Sequence, residues 1–314
     1  MNNNPLVSIP VITYNSSSYI IEGLESIKAQ TYKNIELIIS DDCSTDNTVE
    51  LCRNWLEKNK DYFVRTELVT TNKNTGVAGN CNRAIRACQG VWLKGLSGDD
   101  KFLPYTIERY VEYVTNNPQV SIVFAKLHFW GPDKEYVDKV KKMYENKFYP
   151  KIKLNQHKQY IEDLKDLFVP GPGLMYKRSL WIEIGGFDEN YQFCEEVPFT
   201  HNVLKAGYQI YFLNEELYMY TILAESLGRR DNYRQGLTRP QRDVIRYFFD
   251  IRRKEMIKSN LILKAWHKTL TYKNILAKNN NQYIKALYYR ILKLTSPIFY
   301  INVFKFFADK VLYK

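Results

Sequence analysis

Short apolar runs alternate with amphipathic stretches through the first half of the chain, and this alternation sets the expected fold. Residues 7–15 (VSIPVITYN) and 35–42 (IELIISDD) are near-continuous apolar runs, as in strands buried on both faces. RTELVTT (65–71), VWLKGLS (91–97) and VSIVFAKLHFW (120–130) continue the series. Between them lie helical patterns at 19–30, 45–58, 77–88 and 104–117. Pro104 suits a first helical position, where its missing N–H costs nothing. Strand and helix repeated at this spacing predict βαβ units and a mainly parallel, doubly wound α/β sheet flanked by helices. In such sheets the ligand crevice lies beyond the carboxyl ends of the strands.

Further along the pattern changes. Residues 131–160 are polar without a clear period and are expected to form a long surface excursion. The stretch that follows carries glycines at Gly171 and Gly173, a helix expected near 177–184, a Gly185-Gly186 break, and the acidic pair Glu195-Glu196 at the start of another helical pattern. From Thr238 the sequence turns helical, with Thr238 as N-cap and Pro240 in the first turn. Within YIKALYYRILKL, Ile284, Leu287, Tyr288, Ile291 and Leu292 recur at helical spacing. Ser296-Pro297 opens a last segment with Ile301, Phe304, Ala308 and Val311 on one face and Lys305 and Lys310 off it. These shifts divide the chain into an α/β domain over residues 1–225 and a helical C-terminal region over 226–314.

Composition narrows the class. The 314 residues are 45% hydrophobic, 15% aromatic and 25% charged with a mean hydropathy of −0.42, which excludes disorder, collagen-like repeats and a disulfide scaffold. Five cysteines, an odd number without CxxC or zinc spacing, read as reduced thiols of a cytosolic protein. The N-terminus carries no basic signal region and nowhere do 18 apolar residues run together, so neither export by a signal nor a membrane span is expected. The net charge of +11 is unevenly spread: Arg239–Lys314 holds 17 Lys/Arg against 4 Asp/Glu, whereas the preceding residues hold 28 against 30. The surplus points to an anionic neighbour for the C-terminal region. Basic amphipathic helices rich in aromatics suit an anionic membrane surface; no recognition module for nucleic acid is visible. A solvated bundle kept soluble by its lysines is the alternative.

The predicted strand ends gather Tyr14-Asn15, Asp41-Asp42, Thr71-Asn72 and Ser97-Gly98-Asp99-Asp100 on one rim. A lone strand-end aspartate is as readily a turn former or a helix cap, and Asp46 is assigned that way. Two adjacent carboxylate pairs repel unless a cation or hydrogen bonds compensate, so Mg²⁺ or Mn²⁺ held with substrate phosphates is the economical reading. His128, His157, His201 and His267 show no metal-ligand spacing.

Taken in order, VSIPVITYN, SIKAQTYKNIELIISDDCSTDNT, NTGVAGNCNRAI with GVWLKGLSGDD, and GGFDENYQFCEE resemble the inverting, GT-A-type family 2 glycosyltransferases from about Leu6 to Tyr220. The resemblance implies a Rossmann-like GT-A domain, a UDP-sugar donor, a divalent metal and transfer with inversion to a saccharide or lipid-linked acceptor. It implies that Tyr14 stacks on the nucleobase, that Asp42 reads the uracil N3–H with Asp41 beside it, and that Asp99 binds metal with Asp100 adjoining. Glu195-Glu196 resembles the family's Glu-Asp pair, whose second member is the catalytic base. Two departures stand out. Ser97 replaces the usual first Asp of the metal motif, and MYTILAESLGRR replaces the usual basic segment after the last strand, leaving Arg229 or Arg230 for that contact. The site is thus expected to act in surface polysaccharide synthesis, in the cytoplasm or peripherally at the inner membrane face. A catalytically weakened sugar-nucleotide-binding protein and a nucleotidyltransferase remain the alternatives, although NSSSYI lacks the phosphate loop of the latter.

Overall fold

The computed structural model describes residues 4–166, 171–222, 237–280, 282–294 and 298. Arg229, Arg230 and the face formed by Ile301, Phe304, Ala308 and Val311 lie outside the described residues. The chain divides into two compact units, Met1–Asp163 with Leu167–Ser226, and Leu164–Asp166 with Leu227–Lys314.

The first unit opens with the expected alternation: β1 (Val7–Thr13), α1 (Ile20–Lys28), β2 (Ile35–Asp41), α2 (Thr48–Asn59), β3 (Arg65–Thr70) and α3 (Gly76–Ala87). The predicted fourth strand is split into β4 (Trp92–Leu93) and β5 (Leu96–Ser97), followed by β6 (Lys101–Phe102) and α4 (Thr106–Asn116). Pro10 accounts for the split. β4 pairs with β1 at Val7 and Ser8, β5 at Val11 and Ile12, and the interruption at Lys94-Gly95 lies opposite the proline, which has no N–H to offer. Pro104 precedes α4 by two residues rather than opening it, because Tyr105 takes the cap position.

Next come β7 (Ile122–Trp130), β8 (Leu174–Lys177), α8 (Arg178–Ile184), α9 (Glu196–Lys205) and β9 (Tyr211–Thr221). Among the described residues the sheet has nine strands in the order β3-β2-β1-β4-β8-β7-β9-β6, with β5 also on β1. β1, β2, β3, β4 and β5 run parallel; β8 and β6 are antiparallel to their neighbours. Every residue of β2 is buried, as its apolar run implied.

Residues 131–160 are not the surface excursion expected. They form α5 (Lys134–Met143), a π-helical turn (Tyr144–Phe148), α6 (Tyr149–Ile152) and the start of α7 (Gln156–Lys165). Tyr144, Phe148, Tyr149 and Ile152 are buried; Tyr144 meets Phe129 and Phe148 edge-on, and Tyr149 lies tilted against Phe124 and Phe212. The helical period is carried there by aromatic rings spaced among lysines, so aliphatic periodicity is absent.

The second unit contains α10 (Arg239–Tyr247), a π-helical turn (Phe248–Arg252), α11 (Arg253–Lys258), α12 (Ile262–Asn279) and α13 (Tyr283–Leu294). Thr238 caps α10 as expected: its hydroxyl accepts from the Gln241 N–H at 3.2 Å while Gln241 accepts from the Thr238 N–H at 3.0 Å. α12 and α13 form a hairpin closed by the Gln282 N–H on the Ala277 carbonyl at 2.7 Å. Among the described residues no helix is long and apolar enough to cross a membrane.

Candidate active site

Strand register brings the predicted rim together. Thr13 of β1 lies opposite Asp41 of β2, and Ile12 lies opposite Ser97 of β5, so Tyr14, Asp41-Asp42 and Asp99-Asp100 emerge side by side at the carboxyl ends. The Tyr14 ring is 49% exposed, which leaves a face for stacking. Beyond it the chain turns at Asn15, φ +50°, and is tied to the loop after β2: Ser44 Oγ accepts from the Asn15 N–H at 2.8 Å and Thr48 Oγ1 from the Ser16 N–H at 2.8 Å. Asp46 is a turn former one residue ahead of the Asn47 cap position, accepting from the Thr48 N–H at 3.0 Å and the Ser17 N–H at 3.2 Å. Gly98 allows the third rim loop to close, since a Cβ there would lie 2.9 Å from Ser16 Oγ.

The four rim carboxylates have different duties. Asp42, expected to read the base, is buried and turned toward the start of α3. Its oxygens accept from the Thr75 N–H, the Thr75 hydroxyl at 2.7 Å, the Gly76 N–H at 2.9 Å and the Arg83 guanidinium at 2.9 Å. These bonds make it the anchor of the α3 N-terminus, where the helix dipole favours a negative charge. Arg83 is equally committed, donating also to Ser40 Oγ at 3.0 Å and Asn80 Oδ1 at 2.8 Å. Asp41 accepts from Thr13 Oγ1 at 2.8 Å and Ser44 Oγ at 2.5 Å on one oxygen, and from the Ser44 N–H at 2.8 Å on the other.

Asp100 is buried, and both of its oxygens are engaged: Tyr218 Oη donates at 2.7 Å and the Thr221 N–H at 2.8 Å. Burial, then the charge of Asp99, push its carboxyl well above the usual range. Its bonds to Tyr218 and Thr221 brace the rim against β9. Asp99 is the half-exposed member of the pair.

Behind the rim stands a residue that motif reasoning missed. Lys94 is fully buried, its Nζ donating to the Pro172 carbonyl at 2.5 Å and lying 4.4 Å from the centre of the Tyr218 ring. Burial pulls its ammonium down to about 7, against the pull of Asp100. The signal in the sequence was a lone lysine inside the apolar run VWLKGLS.

Glu195 and Glu196 approach from the other side. The loop that carries them is held against α3: Asn82 donates to the Phe187 carbonyl at 2.9 Å and to Glu189 at 2.8 Å, and the Ala78 N–H donates to the Gln192 carbonyl at 3.2 Å. Gly185 and Gly186, at φ +88° and +76°, make the expected break after α8. Glu195 takes the cap position of α9 without a side-chain cap bond and Glu196 is the first helical residue, both half-buried. Burial, then the charge of Glu196, raise Glu195 to about 8; burial raises Glu196 as well. The turn Gly171–Gly173 lies alongside, with Gly171 within 3.5 Å of Glu196 at its would-be Cβ. Tyr220 is half-buried, and burial, then the charges of Asp100, Asp99 and Glu196, hold its phenol above its ordinary range. His201 is fully buried with Nδ1 2.7 Å from Asp163 and belongs to the packing of α9 on α7.

The residues present fit a divalent ion held jointly with a substrate. Among the described residues no three His, Cys, Asp or Glu side chains converge into a closed cage. The half-exposed Asp99 suits a hard cation that completes its shell with phosphate oxygens and water.

A family model for glycosyl transferase family 2 matches residues 8–185, more than half of the chain. The chain belongs to glycosyl transferase family 2. This family 2 transferase is 26% identical over 227 residues to TuaG of Bacillus subtilis, a glycosyltransferase provisionally named for teichuronic acid biosynthesis; the match covers 72% of this chain and 83% of TuaG. It is 25% identical over 231 residues to an uncharacterized glycosyltransferase of Methanocaldococcus jannaschii, 73% of each chain. The fold resembles S. aureus TarS 1–349 in complex with UDP-GlcNAc, with a TM-score of 0.57 and 19% identity over 88% of this chain and 72% of that one. It equally resembles the mannosyltransferase PcManGT of Pyrobaculum calidifontis in complex with GDP-Man and Mn²⁺, TM-score 0.56 and 17% identity over 93% and 87%. Against a longer TarS chain this transferase spans 43% of the length. The GT-A-like α/β fold and the transferase class follow; the residues after Gly185, Glu195-Glu196 among them, lie beyond the family match.

Proposed function

We propose that this transferase moves a sugar from a UDP-sugar, with inversion, to a hydroxyl of a saccharide or lipid-linked acceptor in surface polysaccharide synthesis, working at a cytoplasmic membrane face. The observation that carries the reading is the strand register that brings Tyr14, Asp41 and Asp99 to one rim, together with the loop before Glu195-Glu196 that the Ala78 N–H holds on α3 through the Gln192 carbonyl at 3.2 Å. Bound UDP-GlcNAc in one structural neighbour and the name of TuaG support the donor and the pathway class.

In this reading the base stacks on Tyr14 and meets Asp41, whose Oδ1 accepts a single bond among the described residues. Asp99 would hold Mn²⁺ or Mg²⁺ together with diphosphate oxygens; when bound, the ion offsets charge on the leaving group. Glu196 takes the proton of the acceptor hydroxyl as that oxygen bonds to the anomeric carbon and the bond to the diphosphate breaks, so UDP leaves. Burial raises the basicity of Glu196.

Calorimetry with UDP, CDP and GDP, with and without Mn²⁺, tests the donor side. UDP should bind tightest, Asp41→Asn should weaken it by about 1–3 kcal/mol, and Asp99→Ala should remove the Mn²⁺ dependence. Equal affinity for UDP and CDP, or binding indifferent to Mn²⁺, overturns the assignment.

A further inference from the structure

α13 carries its apolar face on the wrong side for a solvated bundle. The helix packs on α12 through Ala286, which is buried, and Tyr289, whose ring lies under the Lys273 ammonium at 5.6 Å. Ile284, Leu287, Tyr288 and Ile291, at i, i+3, i+4 and i+7, form a stripe on the opposite side of the wheel. In a bundle that stripe would be polar. Here the four residues are 87%, 58%, 58% and 53% exposed, and Leu294 extends the row at 44%.

Charge says what covers it. Lys285 and Arg290 border the stripe on its two sides, both exposed, and α13 contains no acidic residue. A second copy of the helix laid on the stripe would bring like charges together with nothing to pair them. Long basic side chains beside an apolar face suit a surface that is apolar within and anionic at its edge. The surplus of 17 Lys/Arg over 4 Asp/Glu from Arg239 onward extends the same match.

We propose that the outward face of α13 is a membrane-docking surface, seating the helix in the interfacial plane of an anionic phospholipid bilayer with Ile284, Leu287, Tyr288 and Ile291 in the acyl boundary and Lys285 and Arg290 at the headgroups. This deepens the membrane placement proposed above, and it is read without any donor, so its failure leaves the sugar-transfer reading standing.

The full chain is co-sedimented, without nucleotide or metal, with vesicles of phosphatidylglycerol and phosphatidylcholine or of phosphatidylcholine alone. The intact protein should bind the anionic vesicles about tenfold or more tightly than the neutral ones, and lose that binding as salt rises. Leu287→Gln with Ile291→Gln should weaken binding to anionic vesicles about tenfold, and Lys285→Gln with Arg290→Gln should weaken it and flatten its salt dependence. Circular dichroism should be unchanged, because all four positions are exposed. No binding by the intact chain, equal binding by the variants, or equal binding to neutral vesicles overturns the proposal. So does a lipid-free dimer in sedimentation velocity that Leu287→Gln dissolves, which would assign the stripe to a second copy.

Discussion

At the scale of single residues, neighbouring carboxylates of like chemistry are separated by what surrounds them. Asp42 and Asp100 are consumed by donors of the fold, so their loss should register first as stability. Asp42→Asn should cost about 1–3 kcal/mol by weakening the charge-assisted bonds at the α3 N-terminus, measured as a lower melting temperature, with UDP affinity falling less than for Asp41→Asn. The Glu195–Glu196 pair behaves differently. Burial, then the charge of Glu196, hold the Glu195 proton up to about 8, and burial holds the Glu196 proton above the ordinary carboxylate range. Transfer, followed as kcat/KM, should therefore still climb with pH beyond the ordinary carboxylate range. Glu196→Gln should reduce it by about 10²-fold or more at unchanged UDP binding. Glu195→Gln should keep transfer and its climb with pH, because the rise of Glu196 comes from burial. Since the folded chain holds the Glu195 proton more tightly than the unfolded one, native stability is lost as pH rises toward 8, and Glu195→Gln should melt above the parent at pH 9. A parental melting temperature for Glu195→Gln at pH 9 contradicts the pairing.

At the scale of elements, close backbone approaches hold the two walls of the site. The Gly171–Gly173 turn is wedged between β7 and the start of α9, with Tyr110 donating to the Gly173 carbonyl at 2.6 Å and Lys94 to that of Pro172. A Cβ on Gly173 would fall 2.4 Å from the Phe124 ring and 2.5 Å from the Ala125 carbonyl oxygen. Gly173→Ala should thus cost about 1–3 kcal/mol by overpacking and lower transfer, because the displaced turn abuts Glu196. Gly95→Ala, where nothing closer than 3.9 Å awaits the methyl, should leave melting temperature and transfer near parental. Calorimetric unfolding of the two variants makes the comparison.

At the scale of the whole molecule, the rim belongs to the first unit and the charge surplus to the second. A chain ending at residue 236 retains every strand of the sheet and should bind UDP like the full chain in calorimetry. It should also elute from a cation exchanger at lower salt, having lost the basic helices. Failure of this shorter chain to bind UDP would make the C-terminal region part of the donor site.

The sequence by itself determined the parallel βα half, the position of the rim at the strand ends, the cap at Thr238 and the Gly185-Gly186 break, because each rests on local periodicity or on a backbone conformation that few residues adopt. Only the tertiary structure decided which donors the aspartates engage. Thr75, Arg83, Tyr218 and Thr221 stand far along the chain from the carboxylates they occupy, and no spacing along the sequence reveals such bonds. The same holds for Lys94, whose partners at Pro172 and Tyr218 come from elements joined by the sheet, and for residues 134–152, where aromatics found a core that aliphatic periodicity did not announce. It holds too for α13: its apolar stripe was plain in the sequence, but whether that stripe faced a core or the outside depended on which side of the helix met α12.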